Sequence, residues 1–138
     1  MNLGGQIMQS KLLPLTGRNP ENRLPNALTD QVVFHSPVRD YHGRADVAHI
    51  LMSIGAVLDA IEVESQLVVD RRVVTAIRTV HADERMSGVL IETQDSLGRV
   101  EHATLLLRPL SALLGAIAAM RTSLERSPFP NALATRNE

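Results

Sequence analysis

The sequence predicts an α+β domain built on an antiparallel sheet, on three observations. Four stretches rich in β-formers follow one another between Glu62 and Arg108, joined by links too short for parallel crossovers. One stretch of helical spacing lies on each side of them, and a further strand with its return precedes the first helix. With 138 residues and 44% hydrophobic content, the chain suits one domain with a real core and is too short for two.

Residues 1–28 carry glycines, prolines and polar residues with no sustained period, and read as an arm, partly irregular; before the first strand only Pro25 to Asp30 offers a helical turn. Gln31 to Ser36 reads as a strand ending at Pro37, and Asp40 to Gly43 as its tight return, with Gly43 free to take a positive φ. From Val47 the apolar positions Ile50, Leu51, Ile54, Val57, Leu58 and Ile61 share one helical face, and Asp46 suits the first turn.

Glu62 to Val69, Val73 to Ala82, Gly88 to Gln94 and Val100 to Arg108 are the four strands of the meander. They are linked through Asp70-Arg71-Arg72, Ala82 to Ser87, and Asp95 to Arg99, the last with Gly98 as a hairpin residue. Pro109 suits a first helical position, and Leu110, Leu113, Leu114, Ile117, Met120 and Leu124 then share a face until Pro128. Residues 127–138 read as a loose tail. Leu105, Leu106 and Leu107 in succession imply a strand covered on both sides, by a second copy of the chain or by the last helix or the arm.

Composition excludes several function classes. The formal net charge is -1 with scattered basic residues, so the basic stripe that nucleic-acid binding needs is missing. No cysteine means no disulfide framework, thiolate nucleophile or cysteine-based zinc site. The histidines at 35, 42, 49, 81 and 102 form no ligand spacing, so no metal is expected, and no phosphate-cradling glycine run implies a cofactor. The opening MNLGGQIMQSKLLPL lacks the features of a signal peptide, and the apolar run from Leu105, broken by Arg108 and Pro109, is shorter than the roughly 20 residues of a membrane span. A cytoplasmic location is expected.

The stretch VVFHSPVRDYHGR from Val32 to Arg44, together with LLLRPLSALLGAIAAM from Leu105 to Met120, resembles the nuclear transport factor 2-like superfamily. The branch it suggests is the small bacterial one of SnoaL-like polyketide cyclases and ketosteroid isomerase-like proteins. The resemblance spans residues 29–126 and implies a strongly curved sheet wrapped on helices, a cone-shaped, cystatin-like roll whose interior is a ligand pocket. Here the amino-terminal helices that usually cap the cone are reduced. It also implies a homodimer through the outer sheet surface.

Within that frame the candidate chemistry is sparse. His35, beside Phe34 at the strand end where the family's pocket opens, is a candidate acid or base near neutral pH or a structural donor to a loop carbonyl. Arg78 shares a strand face with Val74, Ala76 and Val80, and Glu92 on the neighbouring strand is its candidate partner, in a polar centre inside the cavity or in an ordinary cross-strand contact on a face toward solvent or a second copy. Arg108, in alternation with Leu106, Thr104 and His102, is a candidate anchor for an anion at the rim or a structural tie. Phe34 and Tyr41 stand near the mouth, and Met52, Leu106 and Leu114 are expected to line an aliphatic cavity. His42, His49 and the pair His81 and Asp83 are expected in solvent.

Two of the family's catalytic sets are not matched, while Tyr41, Phe34 and His35 leave SnoaL-like or scytalone dehydratase-like chemistry open. Where ketosteroid isomerase-like members carry an aspartate before a proline and a later acidic donor, alignment on Pro37 and Gly98 gives Ser36 and Leu90. Where limonene epoxide hydrolase-like members carry an aspartate-arginine-aspartate group, Arg78 matches the arginine but Val80 and Arg108 stand at the aspartates. Aromatic content of 2% leaves little to stack on a polycyclic substrate. Three readings remain: a binding protein for a small hydrophobic molecule, an acid/base isomerase, cyclase or dehydratase using His35 and Arg78, and an assembly module with a filled cavity.

Overall fold

The computed structural model describes residues 9–13 and 20–130. In chain order these are α1 (Pro20–Asn26), β1 (Leu28–His35), β2 (Asp40–His42), α2 (Arg44–Val57), β3 (Asp59–Val69), β4 (Arg72–His81), β5 (Glu84–Gln94), β6 (Val100–Arg108) and α3 (Leu110–Arg126). The strands form one open, curved sheet in the order β2-β1-β6-β5-β4-β3, with the helices on its inner side. The α+β class predicted from the sequence holds.

The meander from β3 to β6 is antiparallel throughout, as its short links require. β1 is the exception: it runs parallel to β6, with His35 opposite Thr104, so the sheet is mixed. No short link constrains this pair, because α2 and four strands intervene in the chain. The hairpin between β4 and β5 is also tighter than the sequence suggested. His81 pairs with Glu84 across Ala82 and Asp83, both at positive φ, as in the two-residue turn that matches strand twist. β5 therefore starts at Glu84, not Gly88.

Element ends moved for identifiable reasons. α2 stops at Val57 because Leu58 is extended, and Ile61 packs on the core from strand β3 instead of from the helix. Gly43 takes the positive φ expected of it, donates its N–H to Val32 O at 2.8 Å and starts α2. Arg44 then ties the helix to β1 through Leu28 O and Asp30. Pro109 is the residue before α3, not its first position. The early helical turn lies at Pro20–Asn26, with Pro25 inside it, and β1 begins at Leu28.

The core lies between the inner sheet face and the helices. Val32 and Phe34 of β1, Ile77 of β4, Leu90 of β5 and Ala103 and Leu105 of β6 meet Ile50, Leu51 and Ile54 of α2 and Leu113 and Ala116 of α3. Leu12 and Leu13, from the stretch read as an irregular arm, are buried in the same cluster. At the other end of the chain, Phe129 packs against the core from the segment expected to be a loose tail. Residues 1–8, 14–19 and 131–138 of the predicted arm and tail lie outside the described residues.

Candidate functional site

A pocket of about 270 Å³ opens between α2, α3, the inner side of β6 and the turn from β1 to β2. Its walls follow from helical and strand periodicity. Ile50, Ile54 and Val57 face it from α2, Leu113, Ile117, Met120 and Leu124 from α3, and Leu105 and Leu107 from alternate positions of β6. Arg39, Arg121, Tyr41 and Ser36 are the lining residues with polar side chains, and no carboxylate or imidazole is among the lining residues.

The rim is held by local hydrogen bonds. Ser36 Oγ donates to Arg39 O at 2.8 Å and accepts from the N–H of Val38 and Arg39, at 3.1 and 3.0 Å, which closes residues 36–39 into a turn. Tyr41 stacks between Phe34 and Phe129, at 6.3 and 5.4 Å between centroids, with the Arg39 guanidinium 5.4 Å from its ring. Burial raises the Tyr41 pKa, opposed by the Arg39 charge. His49, expected in solvent, donates to Ser127 O at 2.6 Å and meets the Phe129 ring, which fixes the segment after α3 against the rim. His81 is likewise no loop residue: it ends β4 and donates to Val57 O at 3.2 Å. His42 is exposed, as expected.

Of the residues picked from the sequence, Tyr41 lines this pocket, and Phe34 lies fully buried on the inner face against the core. The others do not reach it. His35 follows Phe34 and so points to the outer face, where its Nδ1 and Asp40 Oδ1 are 2.5 Å apart and its Nε2 is 2.9 Å from His102 Nε2. Desolvation lowers the His102 pKa, with the His35 and Arg72 charges acting in the same direction. Leu106 and Arg108 share that outer face with His102, and Leu106 is exposed. Leu114 sits on the solvent side of α3, and Met52 packs on the core without lining the pocket.

The expected Arg78–Glu92 pair does not form, because the two side chains lie on opposite faces of the sheet. Arg78 is exposed on the outer face and bonds Glu64 at 3.0 Å. Glu92 is fully buried on the inner face. Its acceptor oxygens are met by Ser10 Oγ, by Lys11 N–H at 2.7 Å and by Leu12 N–H at 3.3 Å, while Gln94 Nε2 donates to Gln9 O at 2.8 Å. Desolvation raises the Glu92 pKa, and these donors oppose the rise. Residues 9–13 thus form a strap across the inner face of β5 at Glu92 and Gln94.

Sequence reasoning missed Arg39 and Arg121, His102, and the strap. The helical face of Leu113, Ile117, Met120 and Leu124 carried the signal for Arg121, which follows Met120 and precedes Leu124 by three positions. Among the described residues no group of three or more histidine, aspartate or glutamate side chains is arranged to hold a metal ion, and no helix is long and apolar enough to cross a membrane.

No protein-family model matches the sequence, and none of the curated proteins matches it. Solved structures do. The chain is similar to a steroid delta-isomerase from Pseudomonas aeruginosa, with TM-score 0.76 and 25% identity over 81% of this chain and 84% of that one. It is similar to a protein conserved in bacteria with a cystatin-like fold from Silicibacter pomeroyi, with TM-score 0.74 and 17% identity over 86% and 90% of the two chains. A protein from Catenulispora acidiphila with a ketosteroid isomerase-like fold, in complex with trimethylamine, aligns with TM-score 0.60 and 12% identity over 74% and 84%.

Proposed function

We propose that this chain, which its fold places in the nuclear transport factor 2-like superfamily, binds a small hydrophobic molecule with an anionic end in the pocket between α2, α3 and β6. The observation that carries this reading is the lining: an aliphatic wall with two guanidiniums, Arg39 and Arg121, that form no ion pair among the described residues. Apolar walls with few polar groups are the usual build of a small-molecule site. An aliphatic wall suits a flexible chain better than a planar ring system, and an arginine recognises a carboxylate by charge and by paired donors. The likeness to a steroid delta-isomerase supports ligand binding or an isomerase-like role in general. A lining without carboxylate or imidazole supports binding over proton transfer, and neither His35 nor Arg78 faces the pocket.

The test is calorimetric titration with decanoate and, separately, decanol. Decanoate is expected to bind, and Arg121→Gln to weaken it about tenfold or more, the worth of a hydrogen bond to a charged group. Decanol binding is expected to be unchanged by the same substitution. Equal loss for both, or no binding of either, would remove the assignment.

The outer sheet face supports a homodimer. Leu67, Val69 and Leu106 are 61%, 51% and 54% exposed there, beside half-buried Val74, Val89 and Ile91. An apolar patch of this kind marks an association surface, and a second copy would give Leu106 the cover that three successive leucines led us to expect. Leu106→Arg is expected to leave the fold intact and yield a monomer by sedimentation equilibrium. A monomeric parent chain, or a variant that still dimerises, would argue against the sheet as the interface.

A further inference from the structure

Glu92 takes no part in the pocket proposed above. It is fully buried, and among the described residues no arginine, lysine or histidine forms an ion pair with it. Its oxygens are met by the chain's own strap, through Ser10 Oγ and the N–H groups of Lys11 and Leu12. Three donors converge on it, and the two oxygens of a carboxylate can accept all three. Below them the side chains of Leu12 and Leu13 close a residual void of about 20 Å³ against Phe34, Leu51 and Leu90. That void shares Ile54, Leu58 and Leu105 with the lining of the open pocket.

A short peptide that brings hydrogen-bond donors to a carboxylate and isobutyl groups to an apolar hollow has the form of a bound ligand. We propose that strap residues 10–13 occupy a second binding site, centred on Glu92, whose ligand is a small branched aliphatic ammonium compound that displaces them. Buried charges are otherwise held by opposite charge, and the strap's one cation, Lys11, acts on Glu92 without forming an ion pair with it. A primary ammonium carries three donors, the number it would replace, and a branched chain the size of a leucine side chain would refill the space that Leu12 leaves. Burial also pushes the Glu92 carboxyl up, so the cation competes with a proton, and its binding strengthens as pH rises. Because the strap must leave first, the affinity of the intact chain is reduced by the fraction of molecules in which it is out.

The experiment is titration of the ¹⁵N-labelled full chain with isopentylammonium, read by amide shifts and calorimetry. The Lys11 and Leu12 amide resonances are expected to move in step with binding. Leu12→Ala loosens the strap, and about tenfold tighter binding is expected. Ser10→Ala removes one donor without touching the packing; it is expected to tighten binding several-fold, and keeps the test valid should Leu12→Ala fail to fold. Glu92→Gln is expected to abolish binding. Unmoved Lys11 and Leu12 amides, equal affinity in Glu92→Gln, or equal binding of neutral isopentanol would each overturn the proposal, as would no binding by any variant. The proposal does not rest on occupancy of the open pocket, since decanoate reports on that pocket and isopentylammonium on the strap.

Discussion

Glu92→Ala is expected to destabilise the fold by about 3 kcal/mol, because it strips three donors of their acceptor where water does not replace it. Ser10 Oγ and the N–H groups of Lys11 and Leu12 all converge on this carboxyl, and Leu12 carries the strap into the core. Glu92→Gln is expected to behave differently. Its carbonyl still accepts from the two amides, and its NH₂ can donate to the Ser10 hydroxyl. The pH dependence separates the two forms of residue 92. Burial raises the carboxyl above its ordinary 4.5, so the folded chain holds this proton more tightly than the unfolded chain. The resulting stability is fully present below about pH 4.5 and is lost as pH rises through the folded value. Urea unfolding at several pH values is expected to show this falling component in the parent chain and not in Glu92→Gln. Identical pH profiles would mean that the carboxyl is solvated and the strap is not closed over it.

Gly88→Val is expected to be at least as damaging. A Cβ at position 88 would meet Leu106 O at 1.9 Å and Leu107 Cδ2 at 2.8 Å, and the first of these is backbone. Glycine at a strand interior marks such a close approach and allows the sheet to bend. Gly88 pairs with Leu107, whose side chain lines the pocket, so accommodating a side chain would shift β6 and the wall it provides. Even Gly88→Ala is expected to cost about 3 kcal/mol, a fall of about 10 °C in melting temperature for a chain of this size. Decanoate affinity is expected to fall in whatever fraction remains folded. A variant that melts with the parent would show that β5 and β6 separate readily at this point.

The hydrophobic patterns carried most of the fold. The four-strand meander, the two long helices and the left-handed Gly43 were legible because alternation, helical spacing and the lack of a Cβ each constrain the backbone directly. The orientation of the strands was harder to read. In β4 the inner set is Val73, Thr75, Ile77 and Thr79, whereas the outer set holds Val74, Ala76 and Val80 around Arg78. The outer set looks the more apolar, which left the face of Arg78 open, and Arg78 was paired with Glu92 across a sheet that separates them. The successive leucines of β6 hid the same choice, and the lining was assigned to Leu106 where Leu105 and Leu107 provide it. His35 went astray for a related reason, since its neighbour Phe34 takes the inner position. The strap was illegible because residues 9–13 have no period. What holds them is a carboxyl some eighty positions away, and long-range pairing leaves no trace in local spacing.

The central claim, that a small amphiphile occupies the pocket between α2, α3 and β6, is tested most directly by titrating decanoate into the methyl-labelled protein and following the methyl resonances. The account predicts saturable shifts at Leu107, Ile117, Met120 and Leu124, all of which line the pocket. Shifts confined to Leu67, Val69 and Leu106 on the outer sheet face, or no saturation, would contradict it.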